Sequence, residues 1–268
     1  MLVLKNIEAQ VTNVEEITLV WEFEPTEEPL TDYKIFIYRS EAPVPGSTLT
    51  GLDLIASDIS PTAYSWTDTT LSGLYHHNRT WYYKLLISGI GTPNTSVVPD
   101  PPVYNNNEST DYTWVEILRR KRLVMERSDN RYSSIDFYLL KRRTWGTHCT
   151  LCWDDTLNRV IEQNCPICFG TGWVSGYFDA IPFKGMINSA PKFNEINMFG
   201  EWMPSDVLLI VLNFPPLKSK DIVINKITNE RWVVVGQPRP LRKKNVILEQ
   251  RAQLALLQAD DPLYEIVI

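Results

Sequence analysis

The chain has 268 residues, a net charge of −6 and a charged fraction of 22%. That length fits two domains, or three small ones, and the acidity argues against a general nucleic-acid-binding surface while leaving a local one open. No apolar run approaches a membrane span, and Met1-Leu2-Val3-Leu4-Lys5-Asn6 lacks the shape of a signal peptide, so the expectation is a soluble chain made in a reducing cytoplasm. Nine Trp, twelve Tyr and eighteen Pro lean towards β structure with many turns.

Residues 1–104 read as a sandwich of short strands. Ile17, Leu19, Trp21 and Phe23 alternate with Thr18, Val20, Glu22 and Glu24, the period-2 pattern of a strand with one apolar face. Pro25, Glu27, Glu28 and Pro29 end it. Tyr33, Ile35, Ile37 and Arg39 alternate with Lys34, Phe36 and Tyr38, a turn covers Ala42 to Ser47, and a weaker strand covers Thr62 to Thr67. A strong strand runs from Thr80 to Ser88 with Trp81, Tyr83, Leu85 and Ile87 on one face. Short strands separated by turn residues are the sandwich signal, and the aromatic faces are expected in the core.

Leu19-Val20-Trp21, Tyr33 to Ser40, and Tyr64 to Thr69 ahead of Trp81 to Leu85 resemble a fibronectin type III domain. The resemblance implies an adhesion or spacing module without chemistry of its own. In that family a tyrosine corner precedes the late strand, and here Trp81 takes its place.

Residues 105–147 read as a linker followed by a basic helix. Asn94 to Thr110 is rich in Pro and Asn, and its Val97 to Val103 stretch should be extended. Ser109 or Thr110 is placed to cap a helix, whose apolar positions are Trp114, Ile117, Leu118, Val124 and Met125. Arg119, Arg120, Lys121 and Arg122 give it a basic face, and Lys141, Arg142 and Arg143 add to it. Such a run is either a solvated face or a contact with DNA or an acidic partner. Ser128-Asp129-Asn130 is a break, and Ile135, Phe137, Leu139 and Leu140 form a short strand or helix expected to dock onto the segment that follows.

That segment, 148–178, holds every cysteine: Cys149, Cys152, Cys165 and Cys168. Two Cys-x-x-Cys pairs twelve residues apart can aim four sulfurs at one point, the closed donor set of a structural Zn²⁺ site. Gly170, Gly172 and Gly176 supply backbone freedom for the turns. An iron in a rubredoxin-like site would use the same ligands, and two disulfides would require an oxidising compartment. His148 either substitutes for a cysteine or, with four sulfurs available, sits beside the site.

Residues 179–268 read as a small β-barrel. Gly185 to Asn188 opens it, Val207 to Leu212 is a buried strand, and Asp221 to Ile224 with Arg231 to Gly236 make a hairpin. Val246 to Leu257 suits a helix by propensity and a strand by its opening Val246-Ile247-Leu248. Tyr264 to Ile268 is expected as an edge strand.

Glu201 to Val207, Lys220 to Ile224 and Asn229 to Val234 resemble the small barrel of tailed-phage head-closure (stopper) and neck proteins, and Cys165 to Gly172 followed by Gly176-Tyr177 resembles segments of phage structural proteins. The implied protein is a structural virion component assembled in the host cytoplasm. It would form a homo-oligomeric ring that joins or closes the DNA channel between portal or adaptor and tail proteins. A baseplate position is the alternative within that class, and a cytoplasmic zinc-ribbon adaptor that binds nucleic acid is the rival outside it.

No Walker A, Gly-x-Ser-x-Gly or His-Glu-x-x-His motif occurs. His76-His77 falls in an expected turn, and Glu27-Glu28 and Asp154-Asp155 are adjacent acids that point apart. No enzyme is expected.

Overall fold

The computed structural model describes residues 2–13, 16–71, 79–91, 95–105, 112–126, 134–162, 164–189, 207–243 and 246–268. The chain is mainly β, with fifteen strands and one α-helix among these residues. It divides into two compact units: Met1–Asp111 with Arg143–Phe178, and Tyr112–Arg142 with Asp179–Ile268.

The first unit contains a sandwich. Its strands are β1 (Leu4–Asn13), β2 (Glu16–Phe23), β3 (Tyr33–Ser40), β4 (Asp53–Ile59), β5 (Ser65–Asp68), β6 (Tyr82–Gly89) and β7 (Thr95–Tyr104). One sheet has the order β1-β2-β5 and the other β4-β3-β6-β7. The alternation seen in the sequence sets the faces: Ile17, Leu19, Trp21 and Phe23 are buried with Tyr33, Ile35, Ile37, Tyr83, Leu85 and Ile87 in one core. Thr18, on the other face of β2, is also buried, and hydrogen bonds to Thr12 (2.9 Å) and Thr67 (3.0 Å) satisfy it.

The proline-rich stretch expected to be extended is extended and also paired. Residues 95–104 form β7, paired along β6 from Ser88↔Thr95 to Tyr82↔Tyr104. The ladder slips between Val98 and Val103, where Pro99, Pro101 and Pro102 have no N–H to contribute. The strand therefore survives its prolines by bulging past them. The proposed caps Ser109 and Thr110, the Ser128 to Asn130 break and His76-His77 lie outside the described residues.

The second unit has a helix, α1 (Tyr112–Glu126), that buries Leu118 and Met125. It is followed by β8 (Ser134–Leu140). After the excursion 143–178 come β11 (Ile181–Ser189), β12 (Val207–Leu212), β13 (Ile222–Asn225), β14 (Arg231–Lys243) and β15 (Val246–Leu256). These strands close into a barrel of order β11-β12-β15-β14-β13-β8. Phe137, Leu139, Leu209, Val211, Val223, Trp232, Val234 and Leu254 fill it.

Two expectations change here and one open choice, at residues 246–256, is settled. The 134–140 segment is a barrel strand, paired with β11 and β13, because Phe137 and Leu139 alternate into the barrel core. Residues 246–256 are a strand despite their helix formers, since β15 bridges β12 and β14. The last residues are a 3₁₀ turn, Pro262–Glu265, capped by the Asp261 side chain. Arg231 donates to the carbonyls of Leu263 and Ile266, which satisfies this end of the chain without a strand partner.

Candidate metal centre

The residues 143–178 are anchored to the sandwich from both of their ends. Trp145 is buried edge-on against Phe23, with ring centroids 5.0 Å apart, and lies 5.1 Å from Phe178. Phe178 in turn packs on Tyr64 at 5.6 Å. Backbone and hydroxyl bonds add to this: Thr26 N donates to Gly146 O (3.0 Å) and the Thr147 hydroxyl to Glu28 O (3.1 Å).

Between these anchors the chain makes two knuckles. In the first, Trp153 N donates to Cys149 O (3.1 Å) and Ile161 N to Cys152 O (2.8 Å). In the second, Phe169 N donates to Cys165 O (2.8 Å) and Thr171 N to Cys168 O (2.9 Å). A short hairpin, β9 (Trp153–Asp154) with β10 (Arg159–Val160), leads from one to the other. Cys149 N donates to Gly172 O (2.9 Å) and joins the knuckles.

Two glycines are required by space as well as by backbone angle. At Gly172 (φ +85°) a Cβ would come 2.8 Å from Val160 Cγ2 and 3.0 Å from Trp153 Cε3. At Gly176 (φ +65°) it would come 2.8 Å from Cys168 O. Both conformations are left-handed, where a side chain is strained.

The result is a cluster of four buried sulfurs. All four Sγ atoms lie within 4.8 Å of one another. Cys149 and Cys165 are 3.7 Å apart and Cys152 and Cys168 3.0 Å, and all four are free thiols. A tetrahedral metal–sulfur site with bonds of about 2.3 Å has sulfur–sulfur edges of about 3.8 Å. These two separations fall at and below that edge and none exceeds 4.8 Å, and the sulfurs group as four rather than as two bonded pairs. The donors can hold a metal ion.

The thiols do not share one electrostatic environment. Burial pushes the Cys149 and Cys152 thiols up. Burial also opposes ionisation of Cys165, but the backbone N–H groups of Cys168 and Ile167 and the neighbouring thiols bring it down to about 7. A cation at the centre would favour the ionised form of the other thiols as well.

His148 does not join the donors. Its ring stacks on Trp153 (4.0 Å between centroids, 19° between planes) and on Trp173 (4.2 Å, 23°). It walls the site with aromatic surface.

The seven basic residues named from the sequence do not form one patch. Arg119 and Arg120 are exposed and share Glu116 through hydrogen bonds of 2.7–2.9 Å. They hold its carboxyl down at about 2. Lys121 pairs with Glu249, and Arg122 is half-buried. Lys141 is only 2% exposed and pairs at 2.5 Å with Asp221, itself 1% exposed. Arg142 is half-buried and its N–H donates to the same carboxylate (3.1 Å). Arg143 is buried in the other unit, where it donates to Tyr177 O (2.9 Å) and lies over the Phe178 ring. Lys141 and Arg143 thus serve internal contacts rather than an outer surface.

Sequence reasoning missed two features. Asp68 is fully buried and accepts from Arg39 (2.7 Å), Tyr83 OH (3.1 Å) and Thr70; an Asp directly after an aromatic strand was its only signal. A groove of about 410 Å³ in the barrel unit is lined by Arg122, Phe183, Lys184, Phe214 and Lys226 among others. Its residues come from five separate segments, so no local motif marks it. No helix among the described residues is long and apolar enough to cross a membrane.

Compared with known proteins, the chain matches no family model and no curated sequence.

Proposed function

We propose that the chain is a non-catalytic structural protein of a tailed-phage virion, forming a homo-oligomeric ring at the head–tail neck. The observation that carries this reading is the closed six-stranded barrel. Its β13–β14 hairpin is the very stretch, Asp221 to Ile224 and Arg231 to Val234, that resembles head-closure proteins. Barrel subunits that meet through two different surfaces close into rings around an axis. The neighbours are portal or adaptor proteins on one side and tail proteins on the other.

The metal in this proposal is zinc. Four thiolates at one point form a closed soft-donor site, which suits zinc or a single iron, and a structural zinc leaves no coordination position for substrate. When bound it neutralises the thiolates and fixes both knuckles. The chain's own residues do the rest: Trp145 and Phe178 seat the segment in the sandwich core. A segment this small, whose centre is four cysteines with Val160 packed against them, gains its folding energy from the ion. The sandwich is read as a fibronectin type III module, supported by its three-plus-four strand order.

Gold-labelled antibody on particles from the source culture tests the assignment. Label at the neck is expected. Label at the distal tail end moves the protein to the baseplate, and particles without label overturn the virion reading in favour of a zinc-ribbon adaptor. Metal analysis tests the ion: about one zinc per chain is expected, lost on Cys165→Ser with Cys168→Ser, and an iron content in its place refutes the zinc assignment.

A further inference from the structure

The barrel's last hairpin carries two exposed arginines, Arg239 and Arg242, for which the described residues supply no carboxylate. β14 runs for thirteen residues, but β13 pairs only with Arg231 to Val233. Beyond Val234 the outer edge of β14 has no strand partner among the described residues, and Val235, Arg239, Leu241 and Arg242 are exposed. Between residues 235 and 253 the described residues hold four cations, Arg239, Arg242, Lys243 and Arg251, and one carboxylate, Glu249. The chain as a whole is at −6, so this ribbon reverses the local sign.

Glu249 offsets only one of the four, Arg251. It is already engaged by Lys121 and by Arg251 (2.8 Å). Among the described residues neither Arg239 nor Arg242 has a carboxylate within ion-pair range. Arg239 stands directly across the ladder from Arg251, an arrangement of like charges that destabilises an antiparallel pair. Pro240 and a charge on the edge would suffice to block strand addition; a second exposed arginine, Arg242, goes further, and of the facing pair Arg251 alone has a carboxylate, Glu249.

We propose that this ribbon binds the phosphate backbone of duplex DNA, with Arg239 and Arg242 as its principal contacts. Both arginines stand on the exposed edge strand of the barrel, and guanidinium forks take phosphate oxygens in pairs. From Arg239 to Lys243 the strand spans roughly 13 Å, the rise of about four base pairs. The inference deepens the neck reading and rests on it for the source of the DNA.

The test is fluorescence anisotropy of the full zinc-loaded chain with a labelled duplex of about 30 base pairs across a salt series. Two phosphate contacts predict a log–log salt slope of about −2. Arg239→Gln with Arg242→Gln, both at exposed positions, should reduce that slope by about 2 and weaken binding at least tenfold at low salt. Arg119→Gln with Arg120→Gln, whose charges are held by Glu116, should leave the slope unchanged. No binding by the native chain at low salt overturns the proposal. So does a variant that self-associates yet binds DNA as before, which would make the arginines edge guards. Displacement by poly-glutamate as effective as by unlabelled duplex would assign the ribbon to an acidic protein and overturn the DNA assignment. Gold at the neck together with absent DNA affinity would sink this inference alone, while DNA affinity without gold would sink only the neck reading.

Discussion

Replacing Trp145 with Ala removes the side chain that seats the cysteine segment in the sandwich. An indole buries about 150–250 Å², which at about 25 cal/mol per Å² corresponds to roughly 4–6 kcal/mol of transfer energy. Its two ring contacts, at 5.0 and 5.1 Å, add about 0.5–1.5 kcal/mol each. Partial collapse of the neighbours and a compact unfolded state reduce the sum, so the expected loss is about 3–5 kcal/mol. For a unit near 150 residues this lowers the melting temperature by roughly 6–20 °C. Scanning calorimetry of the zinc-loaded full chain reads the shift, and metal analysis of the folded variant should still find the same zinc content, since none of the four donors is touched. Trp145→Phe should recover more than half of the lost stability. A loss below about 1 kcal/mol would refute the anchoring role, and loss of zinc without loss of stability would mean that Trp145 shapes the metal site instead.

Further outcomes follow from other contacts. Lys141→Met leaves the Asp221 carboxylate buried with only backbone donors from Arg142 and Lys218; unfolding by urea should show a loss of about 3–5 kcal/mol, with Lys141→Met/Asp221→Leu recovering much of it. Gly176→Ala forces a Cβ against Cys168 O, so competition with a chromogenic chelator should show zinc released faster than from the native chain. Although burial pushes the Glu249 carboxyl upward, Lys121 and Arg251 hold it net below its usual value of 4.5. A depressed folded pKa gives stability that is present above about pH 4.5 and lost as the pH falls below it. Glu249→Gln should therefore flatten the acid side of the stability curve, and an unchanged acid limb would count against the pairing.

Much of the fold was legible because its signals are local. The period-2 alternation of β2, β3 and β6 located the sandwich core, and the cysteine spacing located the four-sulfur cluster. What was not legible depends on partners far away in sequence. Lys141 looked like part of a surface run, but its counter-ion lies 80 positions on. The helix formers of β15 are overridden by ladders on both sides, and Gln250, polar in an apolar barrel, is satisfied by the carbonyls of Leu212, Asn213 and Pro215 and by Leu217 N. β4 gave no clear alternation because most of its side chains are exposed or half-buried. The tandem Arg-Pro-Leu-Arg of the last hairpin was passed over because its meaning lies in what stands across the ladder.

In the barrel, Leu139 of β8 faces Ile181 of β11. The forty-odd residues between them therefore leave and rejoin the barrel at neighbouring positions, as a long detour between two strands that a tight turn would also connect. Evolution could shorten that detour without disturbing barrel topology, but the sandwich would then lose Trp145 and Phe178 from its interior. Neither unit is therefore a continuous block of sequence, and the dependence runs one way: the barrel can close without the detour, while the sandwich core cannot do without its two aromatic rings.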